Sequence, residues 1–268
     1  MKHFKLTALL FVLIICSNSS AQQKDSIFLE YQIEAFLFKG KNAKIVFPNL
    51  EPNGQWIWRA RFWGHEPQTD KALLDKGFHL VYIDVSDLFG NQEAVELWND
   101  FYTHCREKYA LNKKVVLEGM SRGGLIIYNW AAQNTEKVAC IYADAPVCDI
   151  KSWPGGLYTG TGSEKDWETC LKAHQLDTQS VLEYEGIPLH TSVKVAKAEI
   201  PVLHVYGTTD EVVPHEENTL LLAKTFEEYG GKIISIPKEG VGHHPHSLKD
   251  PKPIVDFILE NTLNCLLY

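Results

Sequence analysis

The 268-residue sequence has no Cys-x-x-Cys pair, no long basic tract, no low-complexity segment and no internal repeat. Each absence closes off a class. Without a Cys-x-x-Cys pair, a zinc ribbon or thioredoxin-like redox centre lacks its ligands. With 26 Lys and Arg against 34 Asp and Glu, the formal net charge is −8. No basic patch is left to hold nucleic acid or an anionic membrane surface. After residue 21, no apolar stretch is long enough to cross a bilayer. What remains is a chain of 45% apolar and 22% charged residues. That suits one good-sized globular domain, or one domain carrying an insertion.

Residues 1–21 have the pattern of a secretory signal. Lys2 and Lys5 give a positive start, and Leu6 to Cys16 is a short apolar run. Ser19-Ser20-Ala21 offers small residues for cleavage before Gln22, so export to the periplasm or medium is expected. A lipoprotein anchored through Cys16 is the rival reading, disfavoured because Ile15 is bulky where that processing wants a small residue. Residues 22–268 then form the mature domain. Five cysteines remain in it: Cys105, Cys140, Cys148, Cys170 and Cys265. An odd count leaves at least one unbridged within the chain. Cys148 and Cys170 flank one loop-rich segment and are the expected bridge, whereas Cys140 lies in an apolar strand and reads as a buried thiol.

Strand and helix patterns alternate along the chain. Residues 28–38 and 43–47 read as a hairpin about Lys39-Gly40-Lys41-Asn42. Residues 48–70 show no clean period but are rich in Trp58, Arg59, Arg61, Trp63 and their neighbours. This stretch reads either as a flap packed on the sheet edge or as one wall of a binding site. A helix follows at 71–76, a buried strand at 78–85, a helix at 92–109, a strand from Val115 and a helix at 125–134. The next strand covers 138–145. Residues 148–199 break the rhythm with Trp153-Pro154-Gly155-Gly156 and two short helical stretches, and read as a small cap. Strands at 201–207 and 232–236 and helices at 216–229 and 250–263 complete the chain. Alternation of this kind predicts an α/β fold, a mostly parallel central sheet flanked by helices on both faces.

The chemistry concentrates at Gly119-Met120-Ser121-Arg122-Gly123. A β-branched apolar run leads into Gly-x-Ser-x-Gly, and a helical pattern follows. Strand, sharp turn and helix are what a nucleophile elbow needs. Gly119 and Gly123 lack a Cβ, which permits close approach of strand and helix there. Serine needs a base, and the base needs an orienting carboxylate. Both are sought at the carboxyl ends of later strands. Asp210 follows Gly207-Thr208-Thr209, with Asp144 and Asp149 in reserve. His243 follows Gly242, with His244 and His246 as competitors. The three histidines lack an i, i+4 helical face, Pro245 interrupts them and no acidic ligand pattern accompanies them. No metal and no cofactor is therefore expected.

The order Ser121, Asp210, His243 resembles the α/β-hydrolase superfamily over roughly residues 28–263. The resemblance rests on Gly119-x-Ser121-x-Gly123, Gly207-x-x-Asp210 and Gly242-His243. It implies an eight-strand-type sheet and Ser–His–Asp catalysis, with the Arg122 backbone N–H as one oxyanion donor. The His-Gly pair often found after the third strand is absent; Phe47-Pro48-Asn49 stands where it is sought. Ser121-Arg122 is also similar to the elbow of glucuronoyl methylesterases, with Met120 in place of their cysteine. Arg122, Arg59 and Arg61 could give the pocket a positive charge suited to an acidic substrate, and Trp58, Trp63 and Trp153 could stack on sugars. The expected activity is that of an exported serine esterase, acting on a small-molecule or carbohydrate-linked ester. A prolyl-oligopeptidase-like peptidase shares the triad order, but no propeller-sized segment precedes the domain. A silent binding protein on the same scaffold is the reading outside enzymes. A lipase is disfavoured, since 148–199 holds no long apolar lid helix.

Overall fold

The computed structural model describes residues 26–263. The signal-like stretch 1–21, Cys16 and Cys265 lie outside the described residues. Eight strands form one sheet in the order β1-β2-β4-β3-β5-β6-β7-β8. They are β1 (Gln32–Phe38), β2 (Lys41–Phe47), β3 (Trp56–Arg59), β4 (His79–Ile83), β5 (Val115–Met120), β6 (Val138–Asp144), β7 (Val202–Gly207) and β8 (Ile233–Lys238). The β1–β2 and β2–β4 pairs are antiparallel, and every later pair is parallel. The helices are α1 (Gln68–Leu74), α2 (Gln92–Tyr109), α3 (Gly123–Gln133), α4 (Glu164–His174), α5 (Pro188–Thr191), α6 (Val193–Lys197), α7 (Thr219–Glu228) and α8 (Lys252–Leu263). None is long and apolar enough to cross a membrane.

Strands β3 to β7 are short and buried on both faces, so their two-residue alternation sorts side chains between two cores rather than between core and water. On one face, Trp56, Trp58, Leu117 and Ile141 join Trp98 and Phe101 of α2 and Trp130 of α3. Trp58 stacks on Trp98 with ring centroids 3.9 Å apart. On the other face, Ile57, Val116 and Cys140 pack with Leu73 and Leu74 of α1 and Ile254 and Ile258 of α8.

Strand β3 is where sequence and structure part. The stretch 48–70 is no loop throughout: Trp56–Arg59 pairs with both β4 and β5 in the middle of the sheet. Four residues buried on both sides show no polar alternation, which hid the strand. The segment after the third strand is therefore Ala60-Arg61-Phe62, not Phe47-Pro48-Asn49.

The 148–199 segment divides. Cys170, Val181 and Ile187 form a small third core with Phe89, Leu125 and Trp153. Val195, Ala196 and Ile200 instead join the main core against α3 and α7. The expected Cys148–Cys170 bridge is absent: both are buried thiols, one in the main core and one in the small one. Burial raises both thiols above their ordinary range, Cys170 to about 12.

Candidate active site

Strand β5 ends at Met120, and Ser121 takes the left-handed conformation with φ 49° before α3 begins. A non-glycine residue held there is strained and persists because its surroundings fix it. Its N–H donates to the Asp144 carbonyl at 2.9 Å, and its own carbonyl accepts from Val147 and Gly124, each at 2.9 Å. Close packing at the turn falls on Gly119 and Gly124. A Cβ at Gly119 would lie 2.6 Å from Ile127 Cδ1, and one at Gly124 would lie 2.7 Å from Pro146 Cβ and 2.8 Å from the Val147 oxygen. Gly123, the expected partner of Gly119, has ordinary space; its nearest neighbours would be Ala60 Cβ and Arg61 Cβ at 3.5 Å.

Two loops bring the remaining groups to Ser121. His243, on the loop after β8, sets Nε2 3.0 Å from Ser121 Oγ and Nδ1 2.7 Å from Asp210 Oδ2. Asp210, after β7, uses its other oxygen to accept from the N–H groups of Val212 and Val213, each at 2.9 Å. Both Asp210 oxygens are thus occupied, and the carboxylate plane is fixed against the imidazole.

The reserve residues lie close by with partners of their own. His246 Nδ1 is 2.8 Å from Asp144 Oδ1, and Asp144 Oδ2 accepts from the Ser247 N–H at 2.7 Å and from Tyr142 Oη at 3.2 Å. A second aspartate–histidine pair therefore anchors the His243 loop onto β6. Asp149 accepts from the Lys151 N–H at 2.8 Å, and burial raises its carboxyl above the ordinary range. His244 is exposed, and its ring edge meets His243 with centroids 5.0 Å apart. Burial, then the neighbouring rings of His246, His243 and His65, push it down from its ordinary value. The three sequential histidines, which sequence spacing set apart, hold ring nitrogens within 4.8 Å of one another. His243, however, engages Ser121 and Asp210 with its two nitrogens, and His246 engages Asp144.

Of the proposed wall residues, Arg59 and Trp58 do not reach the site. Trp58 is fully buried in the aromatic core. Arg59 is 1% exposed and points to the opposite face of β3. Its Nη1 pairs with Asp70 of α1 at 2.5 Å and Glu118 of β5 at 3.3 Å. Its Nε donates to the carbonyls of Arg61 at 3.1 Å and Phe62 at 3.2 Å, and Nη2 donates to that of His65. Burial and the adjacent Asp70 raise Glu118 well above the carboxylate range. Trp63 is also buried, against Phe28 and Tyr82.

Arg61, Arg122 and Trp153 do gather near the elbow. Arg122 lies over the rings of Phe89 and Trp153 at 5.4 and 5.1 Å and pairs with Asp166 of α4 at 3.1 Å. Asp166 and Phe89 were not singled out from sequence; only their distance along the chain hid them. A cavity of about 820 Å³ opens beside Asp210, lined also by Asp149, Tyr158, His190 and Glu217. Neither Ser121 nor His243 lines it, so it adjoins the acid end of the relay rather than the nucleophile.

A model of the prolyl oligopeptidase family matches residues 96–262, more than half of the chain. The chain belongs to the prolyl oligopeptidase family. The expectation that weighed against this family in the sequence is overturned by this match, which lies on the hydrolase domain itself. A search of curated proteins returns no match. Among solved structures, the chain is similar to a puromycin-hydrolysing peptidase of Mycobacterium tuberculosis, with TM-score 0.66 and 13% identity, covering 88% of this chain and 40% of that one. It is also similar to an acylaminoacyl peptidase of Pyrococcus horikoshii, with TM-score 0.62 and 14% identity over 90% and 42% of the two chains. A protein of Acinetobacter baumannii described as a lipase matches with TM-score 0.58 and 13% identity, covering 97% and 99%. The chain thus spans about two fifths of those two peptidases and nearly all of the lipase-like protein. At these identities the likeness establishes the α/β-hydrolase fold.

Proposed function

We infer that this serine hydrolase works through Ser121, His243 and Asp210 and cleaves a carboxylic ester by way of an acyl-enzyme. The observation that carries the reading is the continuous chain from Ser121 Oγ through both His243 nitrogens to Asp210. As Ser121 Oγ bonds to the acyl carbon, its proton passes to His243 Nε2. Asp210 stabilises the charge that forms on the ring. His243 then gives the proton to the leaving oxygen as the C–O bond breaks. Water loses a proton to His243, attacks the acyl-enzyme and releases the acid, and the proton returns to Ser121. Oxyanion stabilisation is assigned to the backbone N–H groups of Arg122 and Arg61, neither engaged in a backbone hydrogen bond among the described residues. Arg61 N would stand 3.9 Å from a Cβ at Gly123, next to the turn.

A second reading, cleavage of a peptide or acylated amine, is favoured by the family itself and by the peptidases among its structural neighbours. A carbohydrate-linked ester keeps less support than the sequence offered, since Trp58 and Trp63 are core residues and Trp153 has Arg122 on its face. Export remains part of the proposal and rests on the Lys2–Ala21 pattern. The test is labelling by a broad fluorophosphonate, in wild type, Ser121→Ala and His243→Ala. Labelling of wild type lost in both variants is expected; a folded wild type that does not label would overturn the mechanism. Turnover of methyl-uronate and acetyl-sugar esters against peptide amides then separates the two substrate readings.

A further inference from the structure

Arg61 is a charged residue with an unexplained environment. It is half-buried, its Nε atom is inaccessible to water and has no hydrogen-bond partner, and its side chain makes no hydrogen bond or ion pair among the described residues. Its guanidinium lies over the Phe62 ring at 5.0 Å. Burial, and after it the charge of Arg122, makes Arg61 easier to deprotonate than an ordinary arginine, although Asp84 and Asp87 act on it from beyond contact. Proteins pair their buried charges, because desolvation without a counter-charge is expensive. Here two guanidinium groups influence each other, and among the described residues Asp166 is the one carboxylate in contact with either.

Their position gives this imbalance a meaning. Arg122 follows the nucleophile directly. Arg61 follows β3, and its Cβ would stand 3.5 Å from a Cβ placed on Gly123, two residues after Ser121. Both side chains therefore stem from the two segments that frame Ser121. Arg122 is held in orientation by two aromatic faces and Asp166. We propose that Arg61, aided by Arg122, forms an anion subsite beside Ser121 that receives a carboxylate carried by the substrate. A carboxylate matches the planar donor edge of a guanidinium in a two-pronged bond and supplies the absent counter-charge. This reading rests on Ser121 being the nucleophile for its catalytic relevance, but the binding of an anion does not depend on it.

The test uses the intact chain and a simple dicarboxylate, adipate, with uncharged adipamide as control. Isothermal titration measures binding to wild type, Arg61→Gln, Arg61→Lys and Arg122→Gln, each checked for folding by its melting curve. In parallel, the rate of Ser121 labelling by a neutral fluorophosphonate is followed with each compound present. Adipate is expected to bind wild type and slow its labelling, while adipamide does neither. Arg61→Gln should weaken adipate binding tenfold or more, Arg61→Lys should recover part of it, and Arg122→Gln should produce a smaller loss. Equal behaviour of adipate and adipamide, or unchanged adipate binding in Arg61→Gln, would overturn the subsite. Absence of labelling in wild type would count against the Ser121 mechanism alone, and the titration would still decide the subsite. If Arg61→Gln does not fold, the comparison of wild type with Arg61→Lys and Arg122→Gln decides: affinities identical in all three overturn it.

Discussion

Replacing Arg59 by methionine removes the one cation of a fully buried cluster while keeping much of the side-chain volume. The variant leaves Asp70 and Glu118 together without Arg59 between them, both of them buried. Breaking a buried pair by deleting one partner costs about 3–5 kcal/mol. The Arg61, Phe62 and His65 carbonyls also lose a charged donor, and each such hydrogen bond adds on the order of 1 kcal/mol. Relaxation and protonation of the second carboxyl would recover part of this, so a net loss of about 4 kcal/mol is expected. The deficit should depend on pH. Glu118 already stands well above its ordinary value, and Arg59 is the neighbour that holds it down, so removing Arg59 raises it further. A folded state that binds more protons than the unfolded one loses stability as pH rises. The variant should therefore lose more at pH 8 than at pH 5.5. Urea unfolding followed by tryptophan fluorescence at both values measures this. Because Arg59 also holds the Arg61 and Phe62 carbonyls that directly follow the proposed Arg61 oxyanion donor, Ser121 labelling of the folded variant should slow. A loss under about 1 kcal/mol at both pH values would refute the account of the cluster as a compensated charge.

Three further outcomes follow from geometry. Asp210→Asn keeps the size of the side chain but removes the charge facing His243, so Ser121 labelling should slow by about 10²–10⁴-fold with little change in melting temperature. An unchanged labelling rate would show that Asp210 only shapes its turn. Gly124→Ala places a Cβ against Pro146 and the Val147 carbonyl and should cost about 1–3 kcal/mol in chemical denaturation. The matching Gly123→Ala change should be milder there, since only ordinary contacts await it. His204 is fully buried between Tyr128 and Thr219, and burial lowers it from its ordinary 6.5 to about 3. Between those values the unfolded chain binds the proton and the folded one does not. Stability should fall by about 1.4 kcal/mol per pH unit on acidifying below 6.5. His204→Gln should flatten the urea-derived slope between pH 6.5 and 4.5 by about that amount; an unaltered slope would mean that His204 titrates normally.

The catalytic end of the sheet could be read from sequence because parallel strands leave their carboxyl ends open, and small or turn-forming residues cluster there. Gly119, Gly207 and Gly242 each mark such an end, beside Ser121, Asp210 and His243. What could not be read was set by distant partners. Arg59 among aromatics resembles a pocket wall until Asp70 and Glu118 are seen against it, 11 and 59 residues away in the chain. Trp58 is indistinguishable by composition from a sugar platform, yet β3 directs it onto Trp98. Cys148 and Cys170 are near in sequence, but the first follows β6 into the main core and the second faces inward from α4. The second aspartate–histidine pair was hidden because Asp144 and His246 are 102 residues apart.

Asp144 serves two neighbours at once. Its main-chain oxygen receives the Ser121 N–H, while its carboxylate holds His246 and Ser247 on the loop that carries His243. Nucleophile and base are thus surveyed from a common datum at the end of β6. Insertions, deletions or substitutions in the surrounding 148–187 stretch can alter which molecules are admitted without disturbing the spacing between proton donor and proton acceptor. Such a scaffold can change its diet while keeping its chemistry, and the changes would be confined to the residues that do not touch that datum.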